Sequence, residues 1–132
     1  MIRIIEHTAD IGIEVEGKNL DDAFSEAAIG LTSLMVYFEK ILCIERREIR
    51  IESSDIESLL IKFLSEILYL FDAESMVFSS FEVKIEGNSL KAILCGERYS
   101  REKHGSKLNV KAVTYHMLQV DPSGKVRVIF DI

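Results

Sequence analysis

Tryptophan is absent from the 132 residues, proline occurs once, cysteine twice and glycine seven times. So little linker-type composition excludes a disordered or low-complexity chain. The two cysteines, Cys43 and Cys95, stand far apart and fit neither a CxxC nor a Cys/His zinc spacing. They are expected to be reduced core thiols in a reducing, cytoplasmic compartment. Three histidines scattered along the chain make a weak zinc signal. No apolar run approaches the roughly 20 residues that cross a bilayer. The opening Met-Ile-Arg-Ile-Ile-Glu-His also lacks the apolar core of a secretory signal. Neither membrane insertion nor secretion is expected. Positive charge is in deficit, with 16 Lys and Arg against 22 Asp and Glu for a net charge of −6. A domain that grips phosphate backbones by itself normally carries a basic face, so nucleic acid is a poor direct, unaided ligand; the balance suits solubility, hard cations or a basic protein partner. Gly87, Gly96 and Gly105 are isolated and build no phosphate-cradling loop, which disfavours an autonomous nucleotide-binding enzyme.

What is present is apolar periodicity. Hydrophobic residues make up 48% of the chain and charged ones 29%, a balance suited to a single domain over 1–132 with one core. Ile11, Ile13 and Val15 alternate with glycine and glutamate, predicting a half-buried strand that Gly17 ends. Asn19 is placed to cap a helix whose apolar residues, from Leu20 through Phe24, Leu31 and Met35, follow three-and-four spacing. Residues 44–52 read as a charged edge strand. Ser54 to Glu57 has capping-box spacing, so a second helix is expected from there. Its apolar set from Ile56 to Phe71 covers more than one stripe, marking it as the central and most buried helix.

Residues 81–86 and 89–95 alternate about Gly87-Asn88, a hairpin signal. Residues 96–107 show no period and read as a loop long enough to be functional. Strands are expected over 110–120 and 125–132, joined by a turn at Asp121-Pro122-Ser123-Gly124. The fold class is therefore α+β: two helices packed on a largely antiparallel β-sheet system, in the order β-β-α-β-α-β-β-β-β.

The chemistry-bearing residues gather at two places. Val126, Val128, Phe130 and Ile132 share one strand face, while Asp131 projects the other way beside the final carboxylate. Crowded carboxylates repel unless a cation intervenes, and an all-oxygen set suits calcium or magnesium over zinc. Asp10, at the head of the first core strand, is a candidate third carboxylate. On spacing alone the plainer account is that Asp10 and Asp131 are solvated strand-end residues. His7 and His116 form no ligand pair and read as hydrogen-bonded, partly buried imidazoles. Alternation puts Lys111, Val113 and Tyr115 on one face, with Tyr115 a core aromatic whose hydroxyl reaches the rim. No residue has a recognisable catalytic context.

Five segments together resemble the archease family: "HTADIGI" at 7–13, "LLIKFLSEILYLFD" at 59–72, "GERY" at 96–99 followed by His104, "VKAVTYHMLQV" at 110–120, and the terminal "VIFDI". The resemblance runs from end to end. It implies a small α+β accessory protein of RNA processing with no turnover of its own. Its partner would be the GTP-dependent tRNA-splicing RNA ligase, whose guanylylation and multiple turnover it promotes. A tRNA methyltransferase is a second implied partner, for which the chain would be a chaperone-like adaptor. The resemblance also implies one divalent cation, calcium first and manganese or magnesium next, held by Asp10, Asp131 and the backbone or terminal carboxylate of Ile132. Lys111, His7 and His116 are the implied partner-edge residues. With the resemblance in view, the balance for Asp10 and Asp131 turns from solvated decoration to ligands.

Overall fold

A computed structural model of the chain describes residues 1–6 and 9–132. Seven strands form two antiparallel sheets. β1 (Ile2–Glu6), β2 (Asp10–Glu16), β7 (Lys125–Asp131) and β6 (Ala112–Val120) make the first, in that spatial order. β3 (Glu45–Glu52), β5 (Ser89–Arg98) and β4 (Met76–Glu86) make the second. Helices α1 (Leu20–Met35) and α2 (Ile56–Glu74) each touch strands of both sheets. The three-and-four spacing of α1 predicts packing by one stripe, but α1 meets both sheets and buries more than that, as α2 is expected to do. Phe24 and Phe63, from the two helices, stack at 6.1 Å and are fully buried together with Phe78 and Phe130 from the two sheets.

The predicted order of strands and the two long helices holds, and β3 is an edge strand as expected. Asn19 caps α1 by accepting from the Asp22 amide at 2.9 Å. Gly87 takes a positive φ of 61° in the β4–β5 hairpin. Several expectations are corrected. The cap of α2 is Asp55, whose carboxylate accepts from the Ser58 amide at 2.7 Å. Ser54 instead offers its carbonyl to Asn88. Adjacent Ser and Asp both suit the position, and spacing could not choose between them. The more buried helix is α1, with nine buried residues of sixteen against eight of nineteen in α2. β4 starts at Met76 and carries an irregularity between Phe78 and Ser80. Its outer edge is not left open: the Ile85 amide donates to the Asp21 carboxylate and the Phe81 carbonyl accepts from the Ser25 hydroxyl, both from α1.

The region 96–107 is not a plain loop. β5 continues to Arg98, and a four-residue helix α3 (Arg101–His104) follows, capped by Ser100. One helical turn is too short to display a period. The cysteines are not reduced core thiols: Cys43 and Cys95 form a disulfide across 52 residues, and Cys43 is exposed. The pairing of β3 with β5 sets Arg46 opposite Cys95, and the Ile44 amide donates to the Gly96 carbonyl at 2.9 Å. Strand register thus delivers Cys43 to its partner, which linear spacing does not encode. Among the described residues no helix is long and apolar enough to cross a membrane.

Candidate metal centre

β2 and β7 are direct neighbours, and their register sets Asp10 opposite Asp131. Residues directly opposite each other project from the same face of a sheet. The Asp131 carbonyl turns to the other neighbour, accepting from the Lys111 amide at 2.8 Å. The two aspartates therefore belong to the pair type that exchanges no backbone hydrogen bonds and brings side chains closest, with Cα atoms about 4.5 Å apart. On the far flank of Asp131 stands Ala112, whose methyl leaves the row open.

The next row is apolar. Gly12 and Ile129 are opposite, and a Cβ on Gly12 would lie 2.5 Å from Ile129 Cδ1. The missing side chain lets Ile129 lie down across the sheet, where it is only 2% exposed although its strand face points away from the helices. An apolar floor beside two carboxylates removes water that would otherwise screen their repulsion. Asp10 is half-buried, and its Oδ1 is buried without a hydrogen-bond partner among the described residues. A buried carboxylate oxygen left unpaired is costly, so it points to a group not supplied by the described residues.

The other candidates divide. Ile132 adjoins the pair, its amide 3.5 Å from the Ala9 carbonyl. Lys111 is exposed and is tied to Asp131 through its backbone. His7 lies outside the described residues. His116 is exposed rather than partly buried, and Tyr115 is 58% exposed rather than core. Both depart from expectation for one reason: β6 loses register with β7 between Thr114 and Gln119, so simple alternation stops predicting faces there. Among the described residues no cluster of three His, Cys, Asp or Glu side chains is placed to hold a metal. A cation at Asp10 and Asp131 would therefore need main-chain oxygen, such as that of Ile132.

Periodicity overlooked a second titratable cluster. His104 is completely buried; its Nδ1 accepts from the Ser100 amide, leaving the proton on Nε2 to donate to Glu97 at 2.9 Å. Glu97 also accepts from Lys103 Nζ at 2.8 Å and from the Leu42 amide at 2.8 Å. The Lys103 bond, then the Leu42 amide and then His104 hold its carboxyl down at about 2, against the opposing effect of burial. This cluster is saturated and closed, so it fastens structure. The signal for it was a glutamate within an otherwise apolar strand end, Leu94-Cys95-Gly96-Glu97.

A family model described as Archease protein family (MTH1598/TM1083) matches residues 3–132. The chain belongs to the archease family. It is 44% identical over 126 residues to protein archease of Thermococcus kodakarensis, covering 91% of this chain and 89% of that one. It is 46% identical over 126 residues to protein archease of Pyrococcus abyssi, with the same two shares. Its fold is similar to the solution structure of Methanobacterium thermoautotrophicum protein 1598, at 34% identity and a TM-score of 0.86 over 99% of this chain and 98% of that one. In this archease fold, the early and terminal segments that carried the sequence resemblance include the neighbouring strands β2 and β7.

Proposed function

We propose that the chain is a non-catalytic, metal-binding activator of the GTP-dependent tRNA-splicing RNA ligase, promoting its guanylylation and repeated turnover. Family membership supplies the class of function. The observation that carries the metal reading is the Asp10–Asp131 pair, with the buried Asp10 Oδ1 left without a hydrogen-bond partner among the described residues. Two carboxylates and the main-chain oxygen of Ile132 would make an all-oxygen donor set, which suits calcium first and manganese or magnesium next. The bound cation would supply positive charge and Lewis acidity toward phosphate or carboxylate oxygens of the partner. Asp10 and Asp131 would bind it, Ile129 would keep water from one side, and Lys111 would add a second positive group at the same edge. The net charge of −6 favours approach to a ligase with a basic RNA channel.

Calcium and manganese titrations of the wild-type chain, Asp10→Ala and Asp131→Ala test the metal reading. Loss of a groups-behind-the-ligand contact already costs about 10–100-fold in metal affinity, so removing a ligand should cost roughly 100-fold or more. Unchanged affinity in both variants sinks it. RNA ligation under limiting ligase, with and without this chain, tests activation itself; no stimulation with any of the three metals rejects it.

A further inference from the structure

β6 follows β7 regularly only through Thr114 opposite Ile129, and pairing resumes at Gln119 opposite Arg127. Tyr115, His116, Met117 and Leu118 therefore stand against Val128 alone, and the excess chain must leave the sheet. The excursion is held at its base. Thr114 Oγ1 donates to the Ile129 carbonyl at 2.9 Å and accepts from the His116 amide at 3.3 Å. The Tyr115 hydroxyl lies 3.1 Å from Ser58 Oγ in the first turn of α2. Leu118 packs on the core.

The tip is the opposite of buried. Tyr115 is 58% and Met117 54% exposed, and His116 between them is exposed too. Met117 adopts a left-handed φ of 52°. The other described non-glycine residue with positive φ, Ser75, ends α2, where that conformation is a normal helix stop. Met117 has no helix to end, and such strain persists where the surroundings over-determine it, often at functional surfaces. A bulge on an outer strand also guards against unwanted pairing, but edge guards use lysine, proline or other charge. Tyrosine and methionine at the tip are poor guards and good contacts.

We propose that Tyr115–Met117 is a docking tongue for a protein partner, seated in an apolar pocket of that partner beside the groups that meet Asp10 and Asp131. The two features are continuous: Ala112, three positions before Tyr115 on the same strand, is directly opposite Asp131. The tether to Ser58 presents the Tyr115 ring as a rigid anchor, and methionine adapts to an irregular pocket. A single-stranded RNA would need several cations along the stacking ring, whereas this edge sets Lys111 against two aspartates on a chain of net charge −6. Naming the ligase as that partner rests on the proposed function.

The test is the association of the full chain with the ligase by analytical sedimentation or calorimetry, for wild type, Tyr115→Ala, Met117→Ala and Met117→Gly. Each variant should weaken association about 10–30-fold, with calcium affinity of the chain alone unchanged. Met117→Gly separates contact from architecture. It relieves the left-handed strain and so keeps or raises the melting temperature, yet removes the contacting side chain. If Tyr115→Ala and Met117→Gly both associate as wild type does, the tongue is only architecture and the proposal falls. It falls equally if the wild-type chain does not associate with the ligase, or if Tyr115→Ala instead abolishes binding of a single-stranded RNA oligonucleotide to the chain alone. Association that is tongue-dependent but leaves ligation unstimulated supports the tongue and rejects the activator reading.

Discussion

A glutamate that accepts hydrogen bonds from an ammonium, a backbone amide and an imidazole works only as the anion, and Glu97 is fixed in that state. Its carboxyl is held at about 2 against an ordinary 4.5. A depressed folded-state value means that the unfolded chain binds the proton more readily. The stabilisation is therefore complete above about 4.5 and is lost as the pH falls toward 2. Glu97→Gln should cost about 1–3 kcal/mol at neutral pH and flatten the fall in stability between those two pH values. Urea unfolding at a series of pH values reads both; a variant with the wild-type slope would show that Glu97 is not the group responsible. Single residues were unevenly legible. Asn19 was readable as a cap because its helix begins immediately after it, whereas His116, read as a partly buried imidazole, is exposed, and the buried imidazole is that of His104. His104 is buried by tertiary packing of α3, and His116 is ejected by a loss of register, and neither event leaves a periodic trace.

At the scale of elements, the disulfide and two hydrogen bonds act on the same short segment. Leu42 and Ile44 donate their amides to Glu97 and to the Gly96 carbonyl, and Cys43 between them is bonded to Cys95. Closing a loop of 52 residues removes denatured-state entropy worth about 4 kcal/mol in the chain-entropy description. The Cys43→Ser/Cys95→Ser double variant should unfold at a markedly lower temperature while keeping its secondary structure by circular dichroism. An unchanged melting temperature would mean that the two hydrogen bonds suffice. Elements with a long period were readable in advance: α1, α2 and the β4–β5 hairpin declare themselves by spacing and turn chemistry. α3 did not, being a single turn, and the departure of β6 from its ladder was concealed by a sequence, Val113-Thr114-Tyr115-His116-Met117, that is compatible with a continuous strand.

For the whole molecule, the split into two sheets with helices touching both is a long-range outcome that no local window contains. The neighbourhood of Asp10 and Asp131 is of the same kind: spacing supplied the two residues, the family resemblance supplied the reason to join them, and only strand order places them face to face. Charge belongs to this scale as well. If the proposed partner, a ligase with a basic RNA channel, is the right one, a net charge of −6 should steer association electrostatically, so the on-rate should fall about tenfold or more between low and high salt. Stopped-flow mixing at several ionic strengths checks this, and a salt-independent rate would remove charge from the account of recognition.

The antiparallel seam between β2 and β7 also has a meaning in time. Its aspartates lie 121 positions apart, so the seam cannot close until β7 has been synthesised and has docked on β2. If a cation binds there, occupancy of the site reports completion of the fold. Under the proposed function, a half-folded copy, lacking the pair, would be unable to present the ion to the ligase.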